Sequence, residues 1–478
     1  MRKGKIMKDL LAKLEQYGNI QVLEALRTLS GSELENLKAQ LEELDLDHLA
    51  SLAETYVKKK AAISIPEDLQ PAEFFPFPPR SEEEKELYKR AQKEGEKLLA
   101  SGKVAMLVVA GGQGTRLGFD GPKGTFPITP VENKTLFQYF AEKIARVGEK
   151  YSSPLLWFIM TSKINDKATR VFFAENDYFG LNKENVIFFT QGTMPAMDHN
   201  GRLLMAEKDS LALSPDGHGG TLLALKRSGA LAKMKELGIE YISYFQIDNP
   251  LVPLADPLFL GLHSITGSEM SARMLPKTNA YEKLGNFCIS NGRLHIIEYS
   301  DMPSELAEKT NPDGSLAFLA GSPAIHVISR SFVERLTADG HLKLPWHRAD
   351  KKVPYINEKG ELVKPDSPNA VKLESFIFDA LPLAEKTMIL EGARNLHFAP
   401  VKNPEGVDSA VSCREMLCER DALYFAKAGL ELPRKEDGTL DCIIEISPRS
   451  ACDEEDALAL LSRPGTKVPA RGEKVSYE

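Results

Sequence analysis

No apolar run in these 478 residues approaches the roughly 18–20 residues that a bilayer-spanning helix needs, so a helical membrane protein is excluded. Cysteine is scarce. Cys288, Cys413, Cys418, Cys442 and Cys452 are scattered, odd in number and without zinc-type pairing. A disulfide framework is therefore not expected, and reduced thiols in a cytoplasm are. Basic residues are not in excess: 60 Lys and Arg against 68 Asp and Glu give a formal net charge of −8. That balance argues against general nucleic-acid binding and leaves room only for a local basic pocket. The first eight residues are basic but lead into a helical pattern, with no signal-peptide core or cleavage site. No internal repeat is visible. What remains is a chain long enough for two or three domains and a sizeable core.

The most informative stretch is 104–118, followed by Pro122-Lys123-Gly124. An apolar run from Val104 to Ala110 stops at Gly111-Gly112. A strand ending in glycines presents bare backbone N–H groups at its carboxyl edge, where open α/β sheets bind ligands. Gly112 and Gly114 carry no Cβ, so the loop can wrap closely around phosphates. Arg116 and Lys123 add two cations beside it. Glycines after a buried strand are, taken alone, as compatible with a tight turn as with a ligand site. The two cations at this spacing shift the balance toward a polyphosphate. A Walker A loop and a dinucleotide fingerprint both require other spacings. Here the order is Gly112-x-Gly114-x-x-x-Gly118, and the lysine comes nine residues after Gly114.

This loop resembles the nucleotide-binding loop of the UTP-dependent sugar-1-phosphate uridylyltransferases, and within them the eukaryotic-type UDP-N-acetylglucosamine pyrophosphorylases most of all. Further matches follow in family order. They are Gln191-Gly192-x-x-Pro195-Ala196-Met197, Pro215-Asp216-Gly217-His218-Gly219-Gly220, Ile247-Asp248-Asn249 and Glu298-Tyr299-Ser300, then Phe376-Ile377-Phe378-Asp379 and Pro400-Val401-Lys402-Asn403. The resemblance implies an α/β fold: a Rossmann-like nucleotidyltransferase core with a mixed, mostly parallel sheet, an N-terminal helical segment and a small C-terminal α+β lobe.

The linear pattern divides as 1–100, 101–404 and 405–478. In the first part Leu10, Leu11 and Leu14 share one helical face, and Leu34, Leu37, Leu41 and Leu44 share another. Ser32 with Glu35 predicts a capping box before that second helix. The Pro-rich stretch 71–79, with three phenylalanines, reads as a connector packing its rings on the body. Strands are predicted at 104–110, 155–161, 186–190 and 241–247, with helices at 135–151 and 221–237; such alternation favours a covered parallel sheet. Segments 286–290 and 294–299 flank Asn291-Gly292, a tight-hairpin signal. A helix near 413–428, a strand near 441–446 and a charged tail complete the chain.

The reaction implied by the resemblance needs charge management rather than a nucleophilic side chain. An oxygen of the sugar 1-phosphate attacks the α-phosphorus of UTP, and pyrophosphate leaves. Two like unit charges about 4 Å apart repel by roughly 4 kcal/mol at an effective dielectric near 20, and the two substrates multiply that several-fold. Positioning and electrostatics therefore dominate. Arg116 suits the departing pyrophosphate, because its fork matches phosphate oxygens. Lys123 is expected nearer the α-phosphate. Asp248, at a strand end, is placed for Mg²⁺, with Mn²⁺ as a substitute; capping the following segment is the lesser reading of the residue taken alone. The resemblance gives Gln191 to uracil, where a side-chain amide pairs both imide and carbonyl. Gly111, Gly112, Gly114, Thr115, Gly217 and His218 complete the expected nucleotide contacts.

For the sugar, the resemblance implies Asn249, Gly285, Glu298, Phe376 and Phe378, the two phenylalanines alternating on one strand face, and it gives Lys402 to the sugar phosphate. One position departs. The acetylhexosamine enzymes carry Gly-Asn-x-x-Asn-His where this chain has Gly321-Ser322-Pro323-Ala324-Ile325-His326, so Ser322 and Ile325 replace two asparagines. Serine is shorter and offers one donor where an amide offers two. The expected activity is a cytoplasmic, metal-assisted uridylyltransferase that handles UTP, a sugar 1-phosphate, a UDP-sugar and pyrophosphate. It is expected to have no nucleic-acid or membrane partner. N-acetylglucosamine 1-phosphate is the leading sugar, and glucose or galactose 1-phosphate is the alternative. A non-catalytic UDP-sugar-binding regulator is the reading from another class. A nicotinamide-dependent oxidoreductase fails on glycine spacing.

Overall fold

The computed structural model describes residues 2–59 and 65–478, the side chains of residues 2–6 excepted, so the basic start is described at side-chain level only from Met7. The chain forms two compact units, each assembled from separate stretches of sequence. The larger comprises Pro66–Gln191, Leu222–Leu342 and Ala380–Glu478; the smaller comprises Met1–Ile65, Gly192–Thr221 and Lys343–Asp379. These units interleave the three segments of the linear reading.

In the larger unit, strand Val104–Val109 lies between Leu156–Thr161 and Tyr241–Gln246, parallel to both, and Val186–Thr190 continues the parallel run. Its near-continuous apolar sequence fits a strand covered on both faces. Helix Leu136–Lys150 covers one face. It is capped by Thr135, whose hydroxyl accepts the Gln138 N–H, and it buries Phe137, Phe140, Ile144 and Val147 at helical spacing. Phe137 meets Trp157 edge-on, and Phe140 packs on Phe245. Helices Glu82–Ala100 and Pro257–Thr266 cross on small residues: a Cβ on Gly261 would lie 1.7 Å from the Ala91 carbonyl oxygen, and one on Gly95 1.9 Å from that of Pro257.

Beyond Tyr241–Gln246 the sheet becomes antiparallel through His326–Ser329, Met270–Pro276, Ala320–Ser322 and Gly285–Ser290. Gly285–Ser290 and Arg293–Ile297 form the predicted hairpin, with Asn291 at φ 49° and Gly292 at φ 69°. Both angles are positive, as a two-residue type I′ turn requires. Within 71–79, Phe75 joins the edge of the core and its N–H donates to the Ile389 carbonyl, whereas Phe77 stays exposed.

Three sequence expectations shift. The helix predicted over 221–237 is two, Thr221–Arg227 and Ala230–Glu236, because Gly229 takes φ 79° and breaks the ladder between them. The capping box at Ser32 and Glu35 does not form, because the helix already begins at Gly31 and leaves Ser32 inside the first turn. The charged tail ends in a strand: Lys474–Tyr477 pairs in parallel with Ile443–Ile446 and packs, with helices Ala410–Lys427 and Glu454–Leu461, around Phe425, Ile444 and Leu460.

In the smaller unit, helices Arg2–Gln16, Ile20–Thr28, Gly31–Glu42 and Leu46–Leu52 bury Leu14, Val22, Leu37 and Leu41. These share one core with Met197, Met205, Trp346, Val371 and Leu373. A short antiparallel sheet runs His347–Lys351, Ala370–Glu374, Met197–Asp198.

Candidate active site

In the larger unit the chain leaves Val104–Val109 at Ala110, whose N–H donates to the Met160 carbonyl. Gly111 comes so close to Gln191 that a Cβ there would lie 2.2 Å from the Gln191 Oε1. Gln191 is buried, and its backbone N–H donates to Thr161. Gly111 and Gln191, expected to share the nucleotide, are thus immediate neighbours. Gly114 closes the loop: its N–H donates to the Gly121 carbonyl, and its Cα packs on the Phe119 ring too tightly for any Cβ. Gly112 faces open space. Thr115 and Arg116 stand exposed on a single 3₁₀ turn, Thr115–Leu117, and no carboxylate pairs with Arg116 among the described residues.

One residue that holds this loop escaped the sequence reading. Asn165 is fully buried; its Nδ2 donates to the carbonyls of Ala110 at 2.9 Å and Gly112 at 3.2 Å. Its Oδ1 accepts from the Ser162 N–H and hydroxyl. Both ends of the carboxamide fasten the strand end and loop to the start of helix Asp166–Glu175.

Lys123 returns to the loop through its N–H, which donates to the Gly112 carbonyl. Its Nζ lies 3.3 Å from the Asp248 Oδ2, with both side chains mostly buried. The Asp248 carbonyl accepts from the Val401 N–H, which brings Lys402 alongside. Burial opposes the ionisation of Asp248, but Lys123 and Lys402 outweigh it and hold its carboxyl below the usual range. Lys123, Asp248 and Lys402 therefore converge. Asn249 is engaged at both ends of its amide: its Nδ2 donates to the His397 carbonyl and its Oδ1 accepts from the Ala399 N–H. These bonds pin the segment bearing Lys402 to the segment bearing Asp248 and leave one N–H and one lone pair of the carboxamide uncommitted.

Gly285, Glu298 and Ser322 also come together. Gly285 is the register partner of Ser322 across the sheet. A Cβ on Gly285 would clash with Ile296 and approach the Glu298 carboxylate at 3.6 Å. Ser322 is half-buried, and its Oγ accepts from the Ala324 N–H at 3.4 Å. Ile325 points into the main core.

The remaining residues cluster in the smaller unit. Gly217, at φ 86°, approaches Ser375 so closely that a Cβ would lie 2.2 Å from its carbonyl oxygen. His218 stacks on Phe376 with ring centroids 5.2 Å apart and lies 5.9 Å from Phe378. Its Nδ1 is 3.2 Å from the Ile377 N–H, a donor only, so the proton of the neutral ring sits on Nε2. Burial, and secondarily His347, push the His218 pKa down to about 4. Phe376 and Phe378 do not alternate on a strand. The strand ends at Glu374 and a 3₁₀ helix begins at Ile377, yet the two rings still touch at 5.2 Å.

Residues 47–449 match the family described as UTP–glucose-1-phosphate uridylyltransferase. This chain belongs to that family. It is 36% identical over 437 residues to the UDP-N-acetylhexosamine pyrophosphorylase-like protein 1 of Xenopus tropicalis, covering 87% of this chain and 84% of that one. It is 36% identical over 390 residues to the UDP-N-acetylglucosamine pyrophosphorylase of Saccharomyces cerevisiae, covering 76% and 81%. The fold superposes with a TM-score of 0.80 on the inhibitor-bound uridine diphosphate N-acetylglucosamine pyrophosphorylase of Trypanosoma brucei, at 26% identity over 98% of this chain and 97% of that one. Among the described residues no helix is long and apolar enough to cross a membrane.

Proposed function

We propose that this family member catalyses uridylyl transfer from UTP to a sugar 1-phosphate. An oxygen of the sugar phosphate bonds to the α-phosphorus, the bond to the β-phosphate oxygen breaks, and pyrophosphate departs as a UDP-sugar forms. The observation that carries this reading is the meeting of the glycine loop with Arg116, Lys123, Asp248 and Lys402 in one unit. Arg116 holds the leaving pyrophosphate, Lys123 stabilises charge developing at the α-phosphate, and Lys402 neutralises the incoming sugar phosphate. Gly111, Gly112, Gly114, Thr115 and Gln191 read the nucleotide. Gly217 and His218 are likewise assigned to the nucleotide, His218 as a neutral donor rather than as an acid or base. Gly285, Glu298, Ser322 and Asn249 are assigned to the sugar, Asn249 also positioning Asp248, and Phe376 and Phe378 are assigned to it as apolar contacts.

Asp248, an ionised and mostly buried carboxylate, suits a hard cation that also takes phosphate oxygens. We assign Mg²⁺, replaceable by Mn²⁺; when bound it would neutralise phosphate charge. The proposed location is the cytoplasm. Residues 405–478 are proposed as a small lobe, supported by a core of their own around Phe425 and Ile444.

N-acetylglucosamine 1-phosphate is the proposed sugar, in keeping with what the yeast and trypanosome relatives are named for. Ser322 and Ile325, in place of two amides, favour glucose or galactose 1-phosphate as a second reading. The deciding experiment is pyrophosphate release from UTP and Mg²⁺ with N-acetylglucosamine, N-acetylgalactosamine, glucose and galactose 1-phosphates. Release with any of them supports the class, and the order of kcat/KM names the sugar. Silence across the panel, with a UDP-sugar still bound, supports a non-catalytic binder instead.

A further inference from the structure

A histidine that carries no sequence signal stands beside Phe376 and Phe378. His347 opens the strand His347–Lys351 in the smaller unit. Its ring centroid is 4.3 Å from that of Phe376 and 6.3 Å from that of Phe378. Its Nε2 lies 2.7 Å from the Asp379 Oδ2, and the two side chains are 21% and 14% exposed. The phenylalanines and the carboxylate that holds the imidazole thus come from one four-residue stretch, 376–379.

An ionised carboxylate only accepts hydrogen bonds, so Asp379 keeps a proton on the His347 Nε2. In the neutral ring Nδ1 then retains its lone pair. Among the described residues the one hydrogen bond recorded for this side chain is that to Asp379. The contrast with His218 is direct: there Nδ1 accepts the Ile377 N–H, and the ring is left as a donor. Two imidazoles flank Phe376 with opposite polarity, one fixed by a backbone amide and the other by a carboxylate.

We propose that His347 is a specificity-determining residue, its tautomer set by Asp379 and its Nδ1 accepting a hydrogen bond from a hydroxyl or acetamido N–H of the sugar held against Phe376 and Phe378. The assignment rests on the uridylyl-transfer reading. A site built to accept such a bond discriminates against sugars that lack the donor, because the acceptor is then left desolvated and unpaired. Asp379 acts through His347 and is a positioning residue.

The test is initial-rate kinetics of the full chain with UTP and either N-acetylglucosamine or glucose 1-phosphate. His347→Phe keeps a ring beside Phe376 and removes the acceptor; His347→Gln keeps an acceptor. The Phe variant is expected to raise the KM for the sugar phosphate about tenfold, the worth of one hydrogen bond. Its KM for UTP should stay within about twofold, its ratio of kcat/KM between the two sugars should change, and the Gln variant should recover part of the loss. Asp379→Asn should move the sugar KM in the same direction as His347→Phe. An unchanged sugar KM and ratio in the Phe variant overturns the proposal. So does an equal loss for UTP and sugar in both His347 variants, or a failure of both to fold, since each marks a purely structural ring. If the native chain releases no pyrophosphate with any sugar phosphate, the functional reading fails on its own. Calorimetric titration with UDP-N-acetylglucosamine then decides the inference: tenfold weaker binding by His347→Phe supports it, and equal binding overturns it.

Discussion

Lys123 and Asp248 neutralise one another across 3.3 Å in a mostly buried setting, which ties the expected behaviour of each to the other. Replacing Lys123 with alanine removes a cation proposed to act most strongly in the transition state. Turnover should fall by about 10²–10³, the usual cost of one such donor, with a smaller change in the KM for UTP. Steady-state kinetics decide this, and a loss confined to KM would refute the assignment. Asp248→Asn keeps the shape of the side chain but removes its charge. The metal concentration giving half-maximal rate should rise at least about tenfold, or activity should vanish. An unaltered metal titration would remove Asp248 from the metal site. Ser322 belongs to the same scale, and Ser322→Asn should shift the kcat/KM ratio toward acetylated sugars; an unchanged ratio places selectivity elsewhere.

Among the elements, the strand end and glycine loop depend on a side chain more than fifty residues downstream. Asn165→Ala would leave the Ala110 and Gly112 carbonyls short of a donor in a buried place. Unsatisfied buried groups cost about 1–3 kcal/mol each, so thermal stability should drop and the KM for UTP should rise. Differential scanning calorimetry and UTP saturation curves measure both, and native values in the two would strip Asn165 of its role. The loop itself was legible because glycine spacing and cation placement are local chemistry. Asn165 was not, because a single asparagine outside any repeat carries no periodic signal. The parallel strands were legible to within a residue, since a buried run such as 104–109 reads the same in any context. Phe376 and Phe378 were misplaced on a strand because alternate aromatics mimic a two-residue period, while the chain in fact turns into a 3₁₀ helix containing Pro382. His347 and Asp379 gave no signal, since 31 intervening residues separate two partners that only the fold joins.

At the scale of the whole molecule, the composition of the smaller unit was the least legible property. Its short strands, two to five residues each, lack the length that periodicity needs, and its core draws on three distant stretches. Stability should carry the mark of buried histidines in both units. His263 is fully buried between the Ser271 and Ser329 hydroxyls, and burial lowers its pKa to about 3. His218 is lowered to about 4. A histidine near its ordinary value of about 6.5 in the unfolded chain takes up a proton below that pH, whereas these folded ones do not. The unfolded state then binds more protons, so stability is complete above about pH 6.5 and declines as pH falls toward the folded values. For His263 the loss between about pH 6.5 and 5 should be about 2 kcal/mol. Unfolding temperatures across that range test it: His263→Gln should flatten the slope, and parallel slopes would contradict it.

The turn at Gly217–Gly219 is bolted to Ser375–Ile377. The Ser375 N–H and hydroxyl both donate to the Asp216 carbonyl, the Gly219 N–H donates to that of Ser375, and the Ile377 N–H reaches His218. Two stretches 159 positions apart are thus joined chiefly through backbone atoms, with the Ser375 hydroxyl and the His218 ring as the side-chain members of the seam. Double-mutant cycles between His218 and Phe376, whose rings stack, should depart from additivity, whereas changes that leave the backbone bonds intact should add. A library meant to change substrate preference at Phe376 therefore has to vary His218 with it, because each ring is the surface the other rests on.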